Sequence, residues 1–214
     1  MPIETFSLGP VLQVLNFVGI AVFAATGALS AAQRAQTLVT GAFFALITGV
    51  GGGTVRDLLI GAPVFWVRDA QTAALCLSVA VLIWITPERW WRQQAFEWLD
   101  AAGLAPFAVY GAAKALGFGV PPVPAAIMGV VTACVGGILR DMLAGEPSIL
   151  MRPELYVTAA ALASGLYIVL VSLGLPSFAS ALAASAAGFL LRAAAIHWKL
   201  GLPTYRGRTE PPRP

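Results

Sequence analysis

Charged residues are scarce in this sequence. Asp, Glu, Lys and Arg account for 11% of the 214 residues, while hydrophobic residues account for 58%, and a typical soluble domain carries about 25% charged residues. A soluble protein of this length needs more charge than this to cover its surface, so the composition excludes a large aqueous enzyme. Because a membrane-spanning helix needs about 20 mostly apolar residues, the chain has room for roughly seven spans and little else.

Histidine, cysteine and clustered basic residues are also scarce. The single histidine, His197, stands beside Trp198 and Lys199 at the end of the last apolar run, which favours an interfacial position over a catalytic one. Cys76 and Cys134 lie in apolar runs, so neither a disulfide nor a thiol metal site is expected. The sequence has no phosphate loop, no Ser/His/Asp set and no basic stripe for nucleic acid. We therefore expect no enzymatic activity, no cofactor and no nucleic-acid partner.

Apolar runs bounded by turn residues and charges predict an all-α membrane protein with seven transmembrane helices. The predicted spans are 11–32, 38–60, 70–85, 99–116, 123–143, 155–173 and 176–198. Tryptophans crowd the border after the third span, where an interfacial segment is expected over 88–97. The first ten residues contain neither Lys nor Arg, so the first run is expected to be a permanent span rather than a signal peptide. An external N-terminus and a cytoplasmic C-terminus would place most loop arginines on the cytoplasmic side, so we expect this orientation.

The second half of the sequence repeats the first at a constant offset. Residues 52–63 read GGTVRDLLIGAP and residues 136–147 read GGILRDMLAGEP, with seven of twelve positions identical at an offset of 84. Each copy contains three predicted spans, and an odd number of spans inserts the second copy upside down relative to the first. The sequence therefore predicts an inverted 3+3 repeat with a seventh helix outside it. The predicted segments are 1–10 (N-terminal segment), 11–86 (first repeat), 87–98 (interfacial linker), 99–173 (second repeat), 174–199 (seventh helix) and 200–214 (cytoplasmic tail).

Glycine clusters lie in the middle of the second helix of each repeat. They comprise Gly49, Gly51, Gly52 and Gly53 in helix two, and Gly136 and Gly137 in helix five. Unwound backbone is tolerated at membrane depth only where protein buries it or where it faces water, so the clusters predict helix breaks beside an aqueous pathway. Close helix packing through small residues is the alternative explanation. The candidate polar lining of such a pathway comprises the hydroxyls of Thr48, Thr54 and Thr132.

An Arg-Asp pair follows each glycine cluster, and these charges are the candidate functional residues. They are Arg56, Asp57, Arg140 and Asp141, and a charge within a span is costly. Adjacent residues of a helix do not face each other, which predicts pairing between the repeats, of Arg56 with Asp141 and of Arg140 with Asp57. The alternative is that these side chains extend to the lipid headgroups and anchor the helices.

Lys114 is the first lysine of the sequence, and it takes the place of Ser30 in the first repeat. It lies near the end of the fourth predicted span. One interpretation is an interfacial lysine that extends toward water. The other is a charge that senses the transmembrane field, which is worth about 2.3 kcal/mol per 100 mV for a charge that crosses the whole field.

The duplicated Gly-Gly-x-x-Arg-Asp-x-x-x-Gly-x-Pro motif, with one copy per three-helix repeat, resembles that of the trimeric intracellular cation (TRIC) channel family in its prokaryotic branch. The three-helix unit of that family is also called a glycine transporter domain. The resemblance implies a homotrimer in which each subunit has its own pore between helices two and five. That pore would be kinked at the glycine clusters and would conduct monovalent cations such as potassium.

The same resemblance places Lys114 where the animal relatives have a voltage-sensing lysine. Helix two lacks the basic lipid-binding motif of the animal channels, so lipid gating is not implied, although membrane lipids remain expected partners. The short tail has no lysine-based retrieval signal, which favours the plasma membrane.

Two functions fit these features. The first is a passive, potassium-permeable cation channel lined by glycine carbonyls and threonine hydroxyls. The second is a secondary transporter of a small solute such as an amino acid, which would use the same inverted repeat by alternating access. Pairing of the motif charges would leave no free carboxylate for ion coupling, which favours the channel.

Overall fold

The computed structural model describes residues 9–87, 90–91 and 93–203, with residues 93 and 94 described by their backbone alone, and within these ranges it contains seven α-helices. The helices are α1 Pro10–Ala32, α2 Leu38–Leu59, α3 Ala70–Ile85, α4 Gln93–Gly117, α5 Pro122–Ala144, α6 Tyr156–Ser172 and α7 Ser177–Trp198. Short 3-10 helices, Phe65–Arg68 and Ile149–Met151, precede α3 and α6. The predicted seven-helix fold is confirmed.

Local sequence signals account for the helix boundaries. The hydroxyl of Thr37 accepts a hydrogen bond from the Thr40 N–H at the start of α2, and Asp69 caps α3 in the same way through the Gln71 N–H. Proline occupies the first turn of α1 and of α5, where its missing N–H costs nothing. Gly145 follows α5 with φ +69°, a left-handed conformation that ends the helix.

The two repeats are related as an inverted pair. Helices α2 and α5 cross in antiparallel fashion. Thr48 of α2 contacts Gly136 of α5. Four residues further along α2, Gly52 contacts Thr132, which lies four residues earlier on α5. The repeat offset of 84 converts one contact into the other, because Thr48 corresponds to Thr132 and Gly52 corresponds to Gly136. The corresponding aromatic residues of α1 and α4 stack with ring centroids 5.3 Å apart, Phe23 against Phe107. The predicted inverted 3+3 repeat is therefore confirmed at the level of individual contacts.

Helix α4 departs from the prediction at its start. It begins at Gln93 rather than at 99, so residues 93–97 of the predicted interfacial segment belong to the helix, while residues 88, 89 and 92 lie outside the described residues. Tryptophans on both sides of this stretch are typical of a membrane border, which favoured an interfacial segment here. Asp100, the first charge inside the predicted span, is only 1% exposed and is paired with Arg140 inside the bundle.

Helix α7 lies outside the duplication and packs on α4 and α6. At Gly188 an added methyl group would lie 2.7 Å from the Ala163 methyl group, so this contact requires a small residue. After α7 the chain turns back at Lys199, and Gly201 forms an isolated antiparallel bridge with Glu154. Among the described helices, α1, α2, α5 and α7 are long and apolar enough to span a membrane, whereas α3 and α6 are shorter apolar helices.

Candidate functional site

The glycine clusters do not break their helices. Helix α2 is continuous from Leu38 to Leu59 and α5 is continuous from Pro122 to Ala144. The predicted helix breaks are therefore wrong, and the backbone carbonyls in these clusters remain within regular helix. The physical reason is that packing against neighbouring helices stabilises the helical backbone even where consecutive glycines weaken its intrinsic propensity.

Two of the clustered glycines form the crossing of α2 and α5. A methyl group at Gly52 would overlap the carbonyl oxygen of Thr132, and one at Gly136 would lie 2.5 Å from the carbonyl oxygen of Thr48. The two backbones are thus in direct contact at this depth. The alternative explanation of close helix packing holds for this reciprocal pair.

The other clustered glycines face different neighbours. The closest side chains to a methyl group at each position would be Cys76 for Gly49, Leu139 for Gly51, Phe65 for Gly53 and Tyr156 for Gly137. Their role is local packing against α1, α3, α5, α6 and the loop that follows α2.

The three threonines predicted as pathway lining have different surroundings. Thr132 is buried at the crossing and its Oγ1 donates to the carbonyl of Met128 at 2.6 Å. Thr48 is also buried there, and its Oγ1 has no hydrogen-bond partner among the described residues. Thr54 lies away from the crossing, where its hydroxyl accepts a hydrogen bond from the indole of Trp66 at 3.0 Å.

One end of the crossing carries a buried ionic cluster, here called the Arg56 cluster, formed by Arg56, Asp57 and Lys114. Arg56 donates from Nε and Nη2 to Oδ1 of Asp57, at 2.9 and 2.8 Å. Lys114 Nζ lies 2.9 Å from both carboxylate oxygens of Asp57. The Arg56 guanidinium also lies over the Tyr110 ring, 5.2 Å from its centroid.

The opposite end carries the Arg140 cluster, formed by Arg140, Asp141 and Asp100. Arg140 donates from Nε to Oδ1 of Asp141 at 2.9 Å, and from Nη1 to Oδ1 of Asp100 at 2.8 Å. Nη1 also donates to the hydroxyl of Thr26 at 3.1 Å. Since the helices rise 1.5 Å per residue and each arginine lies about six residues from the centre of the crossing, the two clusters are roughly 18 Å apart along the helices.

The predicted pairing between repeats is therefore wrong. Arg56 does not reach Asp141, nor does Arg140 reach Asp57; each arginine binds the aspartate that follows it. The arginine side chain is long enough to curl toward its neighbour once that carboxylate is fixed. The structure fixes both carboxylates through their Oδ2 atoms, which accept hydrogen bonds from the backbone N–H of Phe65 and of Ile149 in the loops that follow.

These ion pairs also exclude the alternative in which the motif charges extend to the headgroups. Arg56 and Arg140 are each 1% exposed and Asp57 is fully buried. Lys114 is 8% exposed and binds Asp57 inside the bundle. The interpretation of Lys114 as an interfacial lysine that extends toward water is therefore wrong.

A polar cavity of about 260 Å³ adjoins the Arg140 cluster. Its lining includes four arginines and five acidic residues, with Arg140, Asp100 and Asp141 among them. Arg192 of α7 reaches the same cavity, where it is 2% exposed and donates to Oε2 of Glu154 at 2.6 Å. Within the described part of the chain, no three His, Cys, Asp or Glu residues converge as a metal site would require.

Comparison with known proteins identifies the family. A family profile described as glycine transporter matches residues 13–88 and 97–172, which are the two three-helix repeats. The crystal structure of a TRIC trimeric intracellular cation channel orthologue from Rhodobacter sphaeroides matches 89% of this chain and 99% of its own, with 42% identity and a TM-score of 0.83. The chain belongs to the TRIC channel family. The expectation that it is not an enzyme agrees with membership of this family of channels.

Relatives of this TRIC family member are described as membrane proteins. A UPF0126 membrane protein of Vibrio cholerae is 36% identical over 200 residues, which are 91% of this chain and 82% of the relative. The UPF0126 inner membrane protein YadS of Escherichia coli is 34% identical over 195 residues, or 89% of this chain and 94% of the relative. Together with the apolar helices, these matches identify a multi-pass membrane protein.

The sequence analysis of this TRIC family member missed three buried residues of its ionic clusters and cavity, namely Asp100, Tyr110 and Arg192. Asp100 and Arg192 are charges within helices, and the cost of such charges was a sufficient signal for both. Tyr110 carries no charge, and only its position beside Arg56 in the folded bundle distinguishes it. The repeat comparison could not find them, because the corresponding residue of Asp100 is Asn16 and Arg192 lies outside the duplication.

Proposed function

We propose that this protein is a cation channel permeable to potassium and other monovalent cations, with a pore in each subunit along the crossing of α2 and α5. The observation that carries the proposal is the similarity over nearly the whole chain to a TRIC cation channel orthologue. The buried ionic clusters at the two ends of the crossing support it, because charges inside a membrane protein commonly mark an ion pathway. Pairing with carboxylates offsets the positive charge of Arg56 and Arg140 beside such a pathway.

In this proposal the described conformation is closed at the crossing. The backbone contacts of Gly52 with Thr132 and of Thr48 with Gly136 leave no room for an ion between the two helices. Opening then requires α2 and α5 to separate, after which the hydroxyls of Thr48 and Thr132 would face the pathway. Separation of two packed helices is a common form of gating movement.

Single-channel recording in planar bilayers tests this function. Purified protein is expected to give discrete currents in potassium chloride, with a reversal potential that follows the potassium gradient. Gly52→Ala introduces a methyl group into the closed contact and is expected to raise the open probability. Gly41→Ala is the matched control on the same helix, because its added methyl group would meet no atom within 4 Å. Absence of currents from the wild type would overturn the channel, whereas equal open probability of the two variants would overturn only the gate.

A transporter of a small amino acid is the second candidate. The family profile described as glycine transporter and the inverted repeat favour it. Contrary to the expectation from the sequence, one motif arginine has to serve two carboxylates: Asp100 shares Arg140 with Asp141, and Oδ2 of Asp100 has no partner among the described residues. Proteoliposomes loaded with buffer distinguish the two functions. Saturable uptake of labelled glycine without ionic currents supports the transporter, whereas currents without uptake support the channel.

The assembly and location follow from the same proposal. We infer a homotrimer in the plasma membrane with an external N-terminus and a cytoplasmic C-terminus, in contact with membrane lipids. The trimeric Rhodobacter sphaeroides channel supports the trimer, and the Escherichia coli inner membrane relative supports the plasma membrane. Native mass spectrometry would report the number of subunits, and a reporter fused to the C-terminus would report its side.

A further inference from the structure

The cavity beside the Arg140 cluster is lined by two charges of opposite sign that have no partner. The other charged residues of its lining are paired, Arg34 with Glu146, Arg192 with Glu154, and Asp100, Arg140 and Asp141 within the cluster. Glu97 and Arg152 remain, and neither side chain forms a hydrogen bond or an ion pair with a described residue. The cavity therefore offers one free carboxylate and one free guanidinium.

The free carboxylate lies on the α4 side of the cavity. Glu97 stands three residues before Asp100, and residues three apart in a helix lie on the same face. Both residues line the cavity, and Glu97 is partly exposed, so its carboxylate can reach a bound molecule. Oδ2 of Asp100 is buried from solvent, so it adds negative potential on this side but no contact.

The free guanidinium lies in the loop that leads to α6. Arg152 follows the 3-10 helix Ile149–Met151 and is exposed. Like Glu97, it lines both this cavity and a neighbouring one of about 470 Å³. Lys199, at the end of α7, lines the neighbouring cavity and has no carboxylate partner among the described residues. The side of the cavities formed by this loop and α7 is therefore positive.

This arrangement is specific to one end of the crossing. At the repeat offset of 84, Arg152 corresponds to Arg68, but Glu97 corresponds to the neutral Gln13. The two repeats thus share the guanidinium, whereas only the second supplies the carboxylate.

We propose that the cavity binds a small zwitterion with one ammonium and one carboxylate group, which is the chemistry of a free amino acid. Glu97 accepts hydrogen bonds from the ammonium, and Arg152 donates to the carboxylate, where a guanidinium can form two parallel bonds. The volume of about 260 Å³ is below the range of about 300–1,000 Å³ for drug-sized ligands, which suits a small molecule. The site deepens the transporter named above as the second candidate, and its role in transport rests on that function.

A lipid headgroup with an ammonium and a phosphate carries the same two charges. Among the described lining residues of the cavity only Phe96 and Ile149 are apolar, so the lining offers little surface for the acyl chains attached to a headgroup. The lining thus favours a free amino acid. The cavity lies where α1, α5 and α7 end, which is the cytoplasmic side in the orientation proposed above.

Thermal unfolding of the purified protein in detergent tests binding without any need for transport. At least one of the standard amino acids, screened at equal concentration and ionic strength, is expected to raise the unfolding midpoint, because a ligand that binds only the folded state stabilises it. Acetate and methylammonium together carry the same charges on separate molecules and are expected to give no comparable rise. No rise with any amino acid, or an equal rise with the separate ions, would overturn the site. A rise with glycerophosphoethanolamine alone would overturn it in favour of a lipid headgroup.

Glu97→Gln and Arg152→Gln each remove one of the two free charges. Each variant is expected to lower the affinity for the amino acid found in the screen by about tenfold or more, because it loses a charge-assisted hydrogen bond. Equilibrium dialysis of the labelled amino acid measures the affinity. Unchanged affinity in both variants would overturn the site.

Each variant has a matched control that is expected to keep the affinity of the wild type. Glu146→Gln removes a carboxylate of the same lining that is already paired with Arg34. Arg68→Gln removes the arginine that corresponds to Arg152 in the first repeat. Equal losses in Glu97→Gln and Glu146→Gln would mean that only the general potential of the cavity matters, and the specific site would be overturned.

A measurement on the wild type keeps the proposal testable if a variant fails to fold. Crystals grown with the amino acid found in the screen are expected to show its ammonium group within hydrogen-bond distance of Glu97 and its carboxylate within that distance of Arg152. Density for the amino acid elsewhere, and none between these two side chains, would overturn the site.

The site and the transporter fail separately. Binding that Glu97→Gln and Arg152→Gln weaken, without uptake of the amino acid into proteoliposomes, supports the site and overturns the transporter alone. Uptake that is unchanged in both variants supports the transporter and overturns the site alone.

Discussion

The two ends of the α2–α5 crossing use the same Arg-Asp motif with opposite third partners. At one end Asp57 binds Arg56 and Lys114, so one carboxylate holds two cations. At the other, Arg140 binds Asp141 and Asp100, so one cation holds two carboxylates. Both repeats thus share the motif and the loop contact of each aspartate, while a charged residue of α4 sets the sign of each cluster, Lys114 at one end and Asp100 at the other.

This difference makes a different residue indispensable at each end. Asp57 is the shared partner of the Arg56 cluster, and Arg140 is the shared partner of the Arg140 cluster. Their repeat counterparts, Asp141 and Arg56, each bind a group that has a second partner of its own. Equivalent substitutions in the two repeats should therefore have unequal effects, and the following predictions test this inequality.

Arg140→Met is expected to be the most destabilising change. It leaves Asp100 and Asp141 buried with no cation, and a short aspartate side chain cannot extend to water. Breaking a buried ion pair by removing one partner costs about 3–5 kcal/mol, and the upper end applies here. Arg56→Met is the control from the first repeat, where Asp57 keeps Lys114. The midpoint of unfolding followed by tryptophan fluorescence measures both, and equal losses would contradict the comparison.

Asp57→Ala is expected to cost about 3 kcal/mol, at the lower end of the range for a broken buried pair. It leaves Arg56 and Lys114 without an anion and removes the acceptor of the Phe65 N–H. Lys114 has a long side chain that can extend toward water, which limits the loss. Asp141→Ala in the second repeat should cost less, because Arg140 keeps Asp100. A larger loss in Asp141→Ala, by the same unfolding assay, would reverse the assignment.

The sequence predicted the helices better than the clusters, and the reason is physical. Apolar runs end where the chain leaves the bilayer, so the predicted ends of α1, α2, α3, α5, α6 and α7 lie close to those of the structure. The start of α4 was missed because the tryptophans around residues 88–98 were taken for a membrane border. The burial of Asp100 in this helix depends on Arg140, which is 40 residues away in the chain, and a single sequence does not reveal such a contact.

The glycine clusters and the ion pairs illustrate the same limit. Consecutive glycines are compatible both with a helix break and with close packing, and only the approach of α5 to Gly52 decides between them. The rule that adjacent helical residues do not face each other describes Cβ directions. It does not account for a long arginine side chain that bends toward the next residue when that residue is a carboxylate held by a loop N–H, as Asp57 is held by Phe65.

Lys114→Met tests the voltage-sensing role proposed for this residue and removes the third member of the Arg56 cluster. Stability should change little, because Asp57 keeps Arg56. The voltage dependence of the open probability should become weaker, and a single charge can contribute at most about 2.3 kcal/mol per 100 mV. Lys199→Met, at the exposed end of α7, is the control. Equal voltage dependence of the wild type and Lys114→Met in bilayer recordings would contradict the role.

Thr54→Val is expected to have a small effect, which is confined to stability, and it sharpens the comparison of the loops that follow α2 and α5. The Trp66 indole donates to the Thr54 hydroxyl at 3.0 Å, whereas the second repeat has Leu150 and Ile138 at these positions, which cannot form this bond. Losing one such hydrogen bond costs about 0.5–1.5 kcal/mol. A double-mutant cycle with Trp66→Phe isolates the interaction. Additive losses in the unfolding midpoint would mean that this bond does not stabilise the loop, and that the two ends differ only in their ionic clusters.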